Sequence, residues 1–210
     1  MQLSTRRNFL CLGGIAAALG MVFRASPAYA ADAETDSMWM SALTAIQTRR
    51  SIRLYTEQPV DDKSIKTLLA AGMAAPSAGN ERPWEFVVIR NPETLTQVGS
   101  INKYAAYAKK APVAILTCVN TEREKFPGNG IVDVAACTQN ILLAAHAIGL
   151  GAVWTGIYPE QDRIEAFRLL LDIPEKVIPL ALVVIGHPRP RAPREDQDRF
   201  DATRVHVEKW

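Results

Sequence analysis

Residues 48–55 read TRRSIRLY, so Arg49, Arg50, Ser51 and Arg53 crowd three guanidinium groups and a hydroxyl into one short stretch. Arginine presents a planar fork of donors that matches phosphate or carboxylate, and it keeps its charge at any working pH. The chemistry that fits this cluster is holding an anion, a phosphate above all. A solvated basic patch at a helix C-terminus, favoured by the helix dipole, fits the same residues. The motif by itself leaves both readings open.

Other chemistry-bearing side chains give less. His146, His187 and His206 have no second ligand at metal spacing, so no metal site is expected. Cys137 and His146 stand roughly two and a half helical turns apart, on opposed faces, which excludes a nucleophile and base pair. Cys118 and Cys137 lie in apolar segments and read as small core residues. No G-x-G-x-x-G follows the first strand, because Gly149, Gly151 and Gly156 fall at a helix end and within a strand. No catalytic side-chain acid, base or nucleophile is expected.

The elements that must carry the arginines follow from periodicity. Trp39, Leu43 and Ile46 recur as one face of a helix over 38–47, which runs directly into the cluster. Asp61 and Asp62 cap a second helix through Ile65, Leu68, Leu69 and Met73 that stops before Pro76. PSAGNERPW, 76–84, is a loop by its Pro, Gly, Ser and Asn content. EFVVIR (85–90) reads as a strand, NPETL opens a helix with Pro92 in its first turn, and VAILTCV (113–119) is a buried strand. TEREKFPGNG is a loop. Residues 131–150 form a helix apolar nearly all round, which belongs against a sheet or another subunit. AVWTGIY (152–158) is a strand, 159–173 an amphipathic helix, and VIPLALVVIG (177–186) the last strand. The tail from 188 to 210 is polar, and its PRPRAPR run suggests an extended arm. The expectation is a single α+β domain over 31–210, a mixed, mostly antiparallel sheet flanked by helices.

A second twin arginine, Arg6 and Arg7 in STRRNFL, precedes an uncharged apolar run from Cys11 to Phe23 and then Ala28, Tyr29 and Ala30. A basic start, an apolar stretch too short for a comfortable membrane span and an A-x-A site predict a cleaved signal peptide over 1–30. STRRNFL resembles the twin-arginine export signal, so the expected location is the periplasm or another exported compartment, without a membrane anchor after cleavage. Cleavage after Ala30 leaves 180 residues with 21 basic and 22 acidic side chains. Such a near-neutral chain asks for neither nucleic acid nor an anionic membrane surface.

TRRSIRLYTEQPV, PSAGNERPWEF, GLGAVWTGIYP after a long apolar helix, and PLALVVIGHPRPRAPR together resemble the nitroreductase family of FMN-dependent oxidoreductases. The resemblance runs over about residues 40–195 and implies a homodimer with shared sites. Arg49, Arg50, Ser51 and Arg53 match a cofactor-binding motif of that family, in which Arg49 and Ser51 would hold the FMN phosphate and ribityl chain and Arg53 would lie on the N1 and O2 side of the ring. A fixed cation there would favour the negatively charged reduced form. Pro76, Ser77 and Asn80 belong to the loop that reaches the neighbouring subunit's flavin, where Arg82 stands in place of a more usual glutamine. Thr155 and Gly156 match the strand end whose backbone N–H groups approach N5 and O4. Arg194, with Arg191 close behind, is expected to finish the phosphate site. The implied activity is ping-pong hydride transfer from NAD(P)H, or another donor, through FMN to a nitroaromatic, quinone or similar acceptor. An exported chain meets little NAD(P)H, which leaves open another donor. An electron carrier without a small-molecule substrate, and a dehalogenase-like or flavin-fragmenting specialist, are the alternatives.

Overall fold

The computed structural model describes residues 40–190 and 199–210. Within them four strands form one sheet, β1 (Trp84–Ile89), β2 (Val113–Asn120), β3 (Gly151–Gly156) and β4 (Val177–Gly186), in the order β1-β2-β4-β3. Every neighbouring pair is antiparallel. The central strands carry apolar side chains on both faces, as strands covered on both sides must. Ile115, Val119, Val183 and Ile185 pack on one side with helices α2 (Asp62–Met73) and α4 (Gly130–Ala147). Ala114, Leu116, Leu182 and Val184 pack on the other with α3 (Pro92–Ile101), a 3-10 segment (Lys103–Lys110) and α5 (Gln161–Leu171). Phe167 of α5 is the largest fully buried side chain; truncating it to alanine costs about 3–5 kcal/mol.

Local chemistry accounts for the helix boundaries. Asp61 caps α2 by accepting from the Ser64 N–H, and Asn91 caps α3, which has Pro92 in its first turn. Helix α4 closes at Gly149, whose φ of 81° suits glycine. The 3-10 segment has no counterpart in the sequence expectation. Asn102 starts it by accepting from the Tyr104 N–H, and short alanine-rich turns with no apolar periodicity leave little pattern to read.

Helix α1 (Ala42–Thr48) departs from expectation in its packing. Ser41 caps it, and Ala45 is its buried residue. Leu43 and Ile46, members of its apolar face, are 71% and 57% exposed. Trp39, the proposed signal and residues 191–198 lie outside the described residues.

Candidate functional site

The arginine segment leaves α1 and is fastened to the edge of the sheet. Ser51 forms a parallel bridge with Ala152 of β3, and the Ile52 N–H donates to the Ala152 carbonyl at 3.0 Å. The buried Tyr55 hydroxyl reaches the carbonyls of Ile52 and Val184. Gly151 is needed beneath this contact, because a Cβ there would sit 2.7 Å from Ile52 Cγ2.

The three arginines then do different things. Arg50 turns back on the helix end, its Nη1 donating to the carbonyls of Gln47 and Arg49 at 2.7 and 3.1 Å. That is the helix-terminus role, realised in one member of the cluster. Arg49 is half-buried and has no carboxylate partner among the described residues. Burial, with Arg199 and Arg50 close by, holds its guanidinium below the usual range. A partly desolvated cation beside two like charges is a place prepared for an anion. Arg53 is exposed, and its guanidinium lies 5.9 Å from the Tyr107 ring centroid.

Four residues along β3 from the Ser51 bridge, the strand ends at Gly156, about 13 Å away at the ordinary strand rise. Here lies a recess of roughly 430 Å³ lined by Arg53, Asn102, Lys103, Tyr104, Tyr107, Trp154, Thr155, Gly156 and Arg163. Thr155 is buried and its hydroxyl bonds to that of Tyr107. Asn102 Nδ2 and Arg163 Nη1 both point at the Gly156 carbonyl, each at 3.4 Å. β3 is an edge strand. Alternation therefore aims the N–H groups of Trp154 and Gly156 at the open edge, while Thr155 spends its own on Leu182 of β4. Of the two expected backbone donors, Gly156 is free to serve; Thr155 brings its hydroxyl instead.

The loop 76–83 is built elsewhere, around the start of α4. Gly79, Asn80 and Arg82 all have positive φ, near 50–57°, a conformation that disfavours arginine in particular. The Ala78 N–H donates to both Asp133 carboxylate oxygens at 3.2 and 3.1 Å, and the Arg82 N–H to Ser77 Oγ at 3.0 Å. Buried Glu81 accepts from the N–H groups of Lys125 and Phe126. Pro76 and Asn80 stay exposed and Ser77 is half-buried. None of the three lines the recess of its own chain.

His146 of α4 stands beside the arginine segment, its Nε2 2.8 Å from Thr48 Oγ1. The Thr48 hydroxyl donates to the Thr44 carbonyl at 2.6 Å, so the Nε2–H of His146 is the donor between them. Burial, then Arg49 and Arg50, hold its pKa below the ordinary value. The histidine ties α4 to the end of α1 through Thr48. Cys118 and Cys137 are free and buried, and burial pushes both thiols up to about 12.

A helix-flanked antiparallel sheet, arginines at one end of an edge strand and a recess at the other, matches the fold and site order of a known group. The Nitroreductase family profile fits residues 46–124 and 102–187. The chain belongs to the nitroreductase family. A relative from Methanothermobacter thermautotrophicus, assigned as NADH dehydrogenase/NAD(P)H nitroreductase, is 48% identical over 81% of this chain and 88% of its own length. An FMN-dependent nitroreductase from Clostridium difficile superposes with a TM-score of 0.73 at 25% identity, covering 80% of this chain and 99% of that one. A nitroreductase assignment from Desulfovibrio desulfuricans, solved in complex with FMN, superposes at 0.69 with 31% identity over 81% and 98% of the two chains.

Within this nitroreductase-family chain, sequence reasoning missed Arg199, Tyr107, Asn102 and Arg163. Arg199 lies in the tail, eleven residues beyond the GHP turn, with no local pattern pointing to it. The other three come from segments that the fold, and no sequence spacing, brings to Gly156. Arg191 and Arg194 fall outside the described residues.

Proposed function

We propose that this chain is an exported, dimeric member of the family that passes reducing equivalents from NAD(P)H, or another reduced carrier, through FMN to a nitroaromatic, quinone or similar acceptor in a ping-pong cycle. The observation that carries the reading is Arg49, partly desolvated near like charges and without an acidic partner among the described residues, one strand length from a recess that presents Arg53 and the Gly156 N–H. FMN, when bound, supplies the hydride chemistry. The residues fit it: Arg49 and Arg199, with Ser51, would hold the phosphate, and Arg53 and Gly156 would meet the polar edge of the ring. Arg53 would place positive charge where the reduced form gains negative charge, and the Gly156 N–H would donate there. The recess lining contains no aspartate, glutamate, histidine or cysteine among the described residues. That composition suits a reaction governed by stacking and ring electronics.

The dimer is supported by Leu43, Ile46 and Val132, apolar side chains left well exposed on α1 and α4. A twofold partner on that face would bring the stiff 76–83 loop, with Pro76, Ser77 and Asn80, to the neighbouring site. Export is supported by Arg6, Arg7 and the A-x-A at 28–30.

The experiment is an absorbance spectrum of protein purified without added flavin, followed by anaerobic NADPH. A flavin spectrum that bleaches is expected. A flavin spectrum unaffected by NADPH or NADH would overturn the nicotinamide donor, and a colourless protein that also refuses added FMN would overturn the site. Replacing Arg6 and Arg7 by lysine in the full-length chain is expected to trap the precursor in the cytoplasm; unchanged export would refute the twin-arginine route.

A further inference from the structure

The 76–83 loop is clamped to the start of α4 by two buried carboxyls set against each other. Glu81, in the loop, and Asp133, in the first turn of α4, are each 7% exposed, and their carboxyls lie within hydrogen-bonding reach. Both already accept from backbone. Asp133 receives the Ala78 N–H on its two oxygens, and Glu81 Oε2 receives those of Lys125 and Phe126 at 2.7 and 3.1 Å. Glu81 Oε1 is buried and has no donor among the described residues. No cation relieves the pair. Lys125 turns its ammonium to the Gly79 carbonyl at 3.4 Å, and Arg82 directs its Nε to Asn80 Oδ1 at 2.8 Å. The third acid alongside, Glu124, accepts from the N–H groups of Gly128 and Gly130. Two buried carboxylates in contact do not both stay ionised, and a buried oxygen without a donor forfeits its solvation. One proton resolves both problems. On Asp133 it makes an O–H that donates to Glu81 Oε1, while Asp133 goes on accepting from Ala78.

The loop closed by this contact is strained. Asn80, with φ of 57°, and Arg82, with φ of 51°, occupy the left-handed region without being glycine, a state that persists only where the surroundings impose it. The Phe126 ring presses on the same turn, since a Cβ on Gly79 would stand 2.5 Å from Cε2. We propose that Asp133 and Glu81 are positioning residues for the neighbouring subunit's flavin site, and that the proton Asp133 donates to Glu81 latches the strained 76–83 loop in the form that reaches it. The inference rests on the dimeric FMN reading and adds a pH dependence that arises outside the recess, because neither carboxyl lines it. When the proton leaves, two like charges face each other between loop and helix, and the strain at Asn80 and Arg82 opens the clamp. Burial, then Glu81 and Glu124, raise the Asp133 pKa. The latch is therefore complete below the ordinary carboxylate range and is lost as pH rises through the raised value.

The test is amide hydrogen exchange across the 76–83 loop of FMN-loaded protein, read by mass spectrometry from about pH 4.5 to about pH 8 and corrected for the intrinsic pH dependence of exchange. FMN dissociation constants are measured over the same range. Opening lets Asp133 ionise, so the opened fraction is expected to rise by up to about tenfold per pH unit until the raised pKa is passed, with FMN affinity falling in step. Asp133→Asn offers an N–H to Glu81 and an oxygen to Ala78, so it is expected to hold loop protection flat and to remove the accompanying loss of FMN affinity. Glu81→Gln, which presents a donor to Asp133, is expected to do the same. Loop protection in the parent that ignores pH, or an Asp133→Asn profile parallel to the parent's, overturns the latch. Loop protection that falls while FMN affinity holds overturns the positioning role. Protein that binds no FMN at any pH counts against the flavin reading instead, and the loop exchange, which needs no flavin, then decides the latch by itself.

Discussion

Arg49→Gln separates what the arginine does for the ligand from what it does for the fold. The glutamine keeps a donor and much of the stem while deleting the charge. In the FMN-bound protein the change removes a charge-assisted contact worth about 1.5–3 kcal/mol. That corresponds to FMN binding weakened by roughly 10- to 150-fold. Arg50 compensates poorly because it is already tied to Gln47 and Arg49. In the flavin-free protein the sign turns. Arg49 is held below its usual range by burial, Arg199 and Arg50, and removing one of three like charges relieves repulsion. With solvent screening that relief is about 0.5 kcal/mol, an increase of about 1–2 °C in Tm for a chain of this size. Thermal unfolding with and without FMN, beside a fluorescence titration of flavin quenching, measures both. The expected pattern is a Tm slightly raised without FMN and a smaller upshift when FMN is added. Unchanged FMN affinity, or a flavin-free variant less stable by more than about 1 kcal/mol, would refute the argument, the second by revealing a partner for Arg49 inside the protein.

His146 gives a pH dependence. Its folded pKa lies below the unfolded one because of burial and the neighbouring arginines, so the stability it permits is present above the ordinary histidine range and is lost as pH falls through the depressed value. His146→Gln, which retains a donor for Thr48, is expected to flatten the Tm profile of flavin-free protein below about pH 6.5; a parallel profile would contradict this. Asp133 has the opposite behaviour. Burial, and the Glu81 and Glu124 carboxyls beside it, push its carboxyl above the usual range. Its contribution is complete below the ordinary carboxylate pKa and fades as pH rises through the raised one. Asp133→Asn should therefore gain stability against the parent at pH 8 and lose that advantage at pH 4, whereas Asp133→Ala, which strips the Ala78 N–H of its acceptor, should cost about 1–3 kcal/mol throughout; chemical denaturation at both pH values decides. Leu43→Glu is expected to convert a dimeric mass to a monomeric one by light scattering, and a monomeric parent would refute the second copy on that face.

How much of this was legible in the sequence depended on whether local pattern carried the information. Apolar runs such as VAILTCV and VIPLALVVIG announced strands covered on both faces, and Asp61 and Asn91 announced helix starts through the chemistry of their own side chains. TRRSIRLY pointed to an anion site or to a solvated basic patch at a helix end, and residue type alone did not choose between them. The division of labour inside that motif was not legible: Arg50 folding back on the helix end and Arg49 standing half-buried near Arg199 depend on backbone direction after Thr48. Thr155 illustrates the same limit, since one step of strand alternation decides which amide is free. Leu43 and Ile46 were legible as one face, but periodicity reports a common face and says nothing of whether the chain's own core lies beneath it.

The attachment of Ser51 to Ala152 gives the site a gauge with discrete marks. The gap between the arginines and Gly156 is a count of strand residues, and adding one would lengthen it by about 3.3 Å while turning every following side chain to the opposite face of the sheet. Thr155 would then leave Tyr107, and Trp154 would leave the wall. The reach of the cavity along its long axis can thus change only in two-residue steps, each costing a new register with β4. Width and charge are not bound in this way, because Asn102, Lys103 and Arg163 come from segments outside the strand. Divergence among chains with this architecture is accordingly cheap across the ring and expensive along the phosphate-to-ring direction.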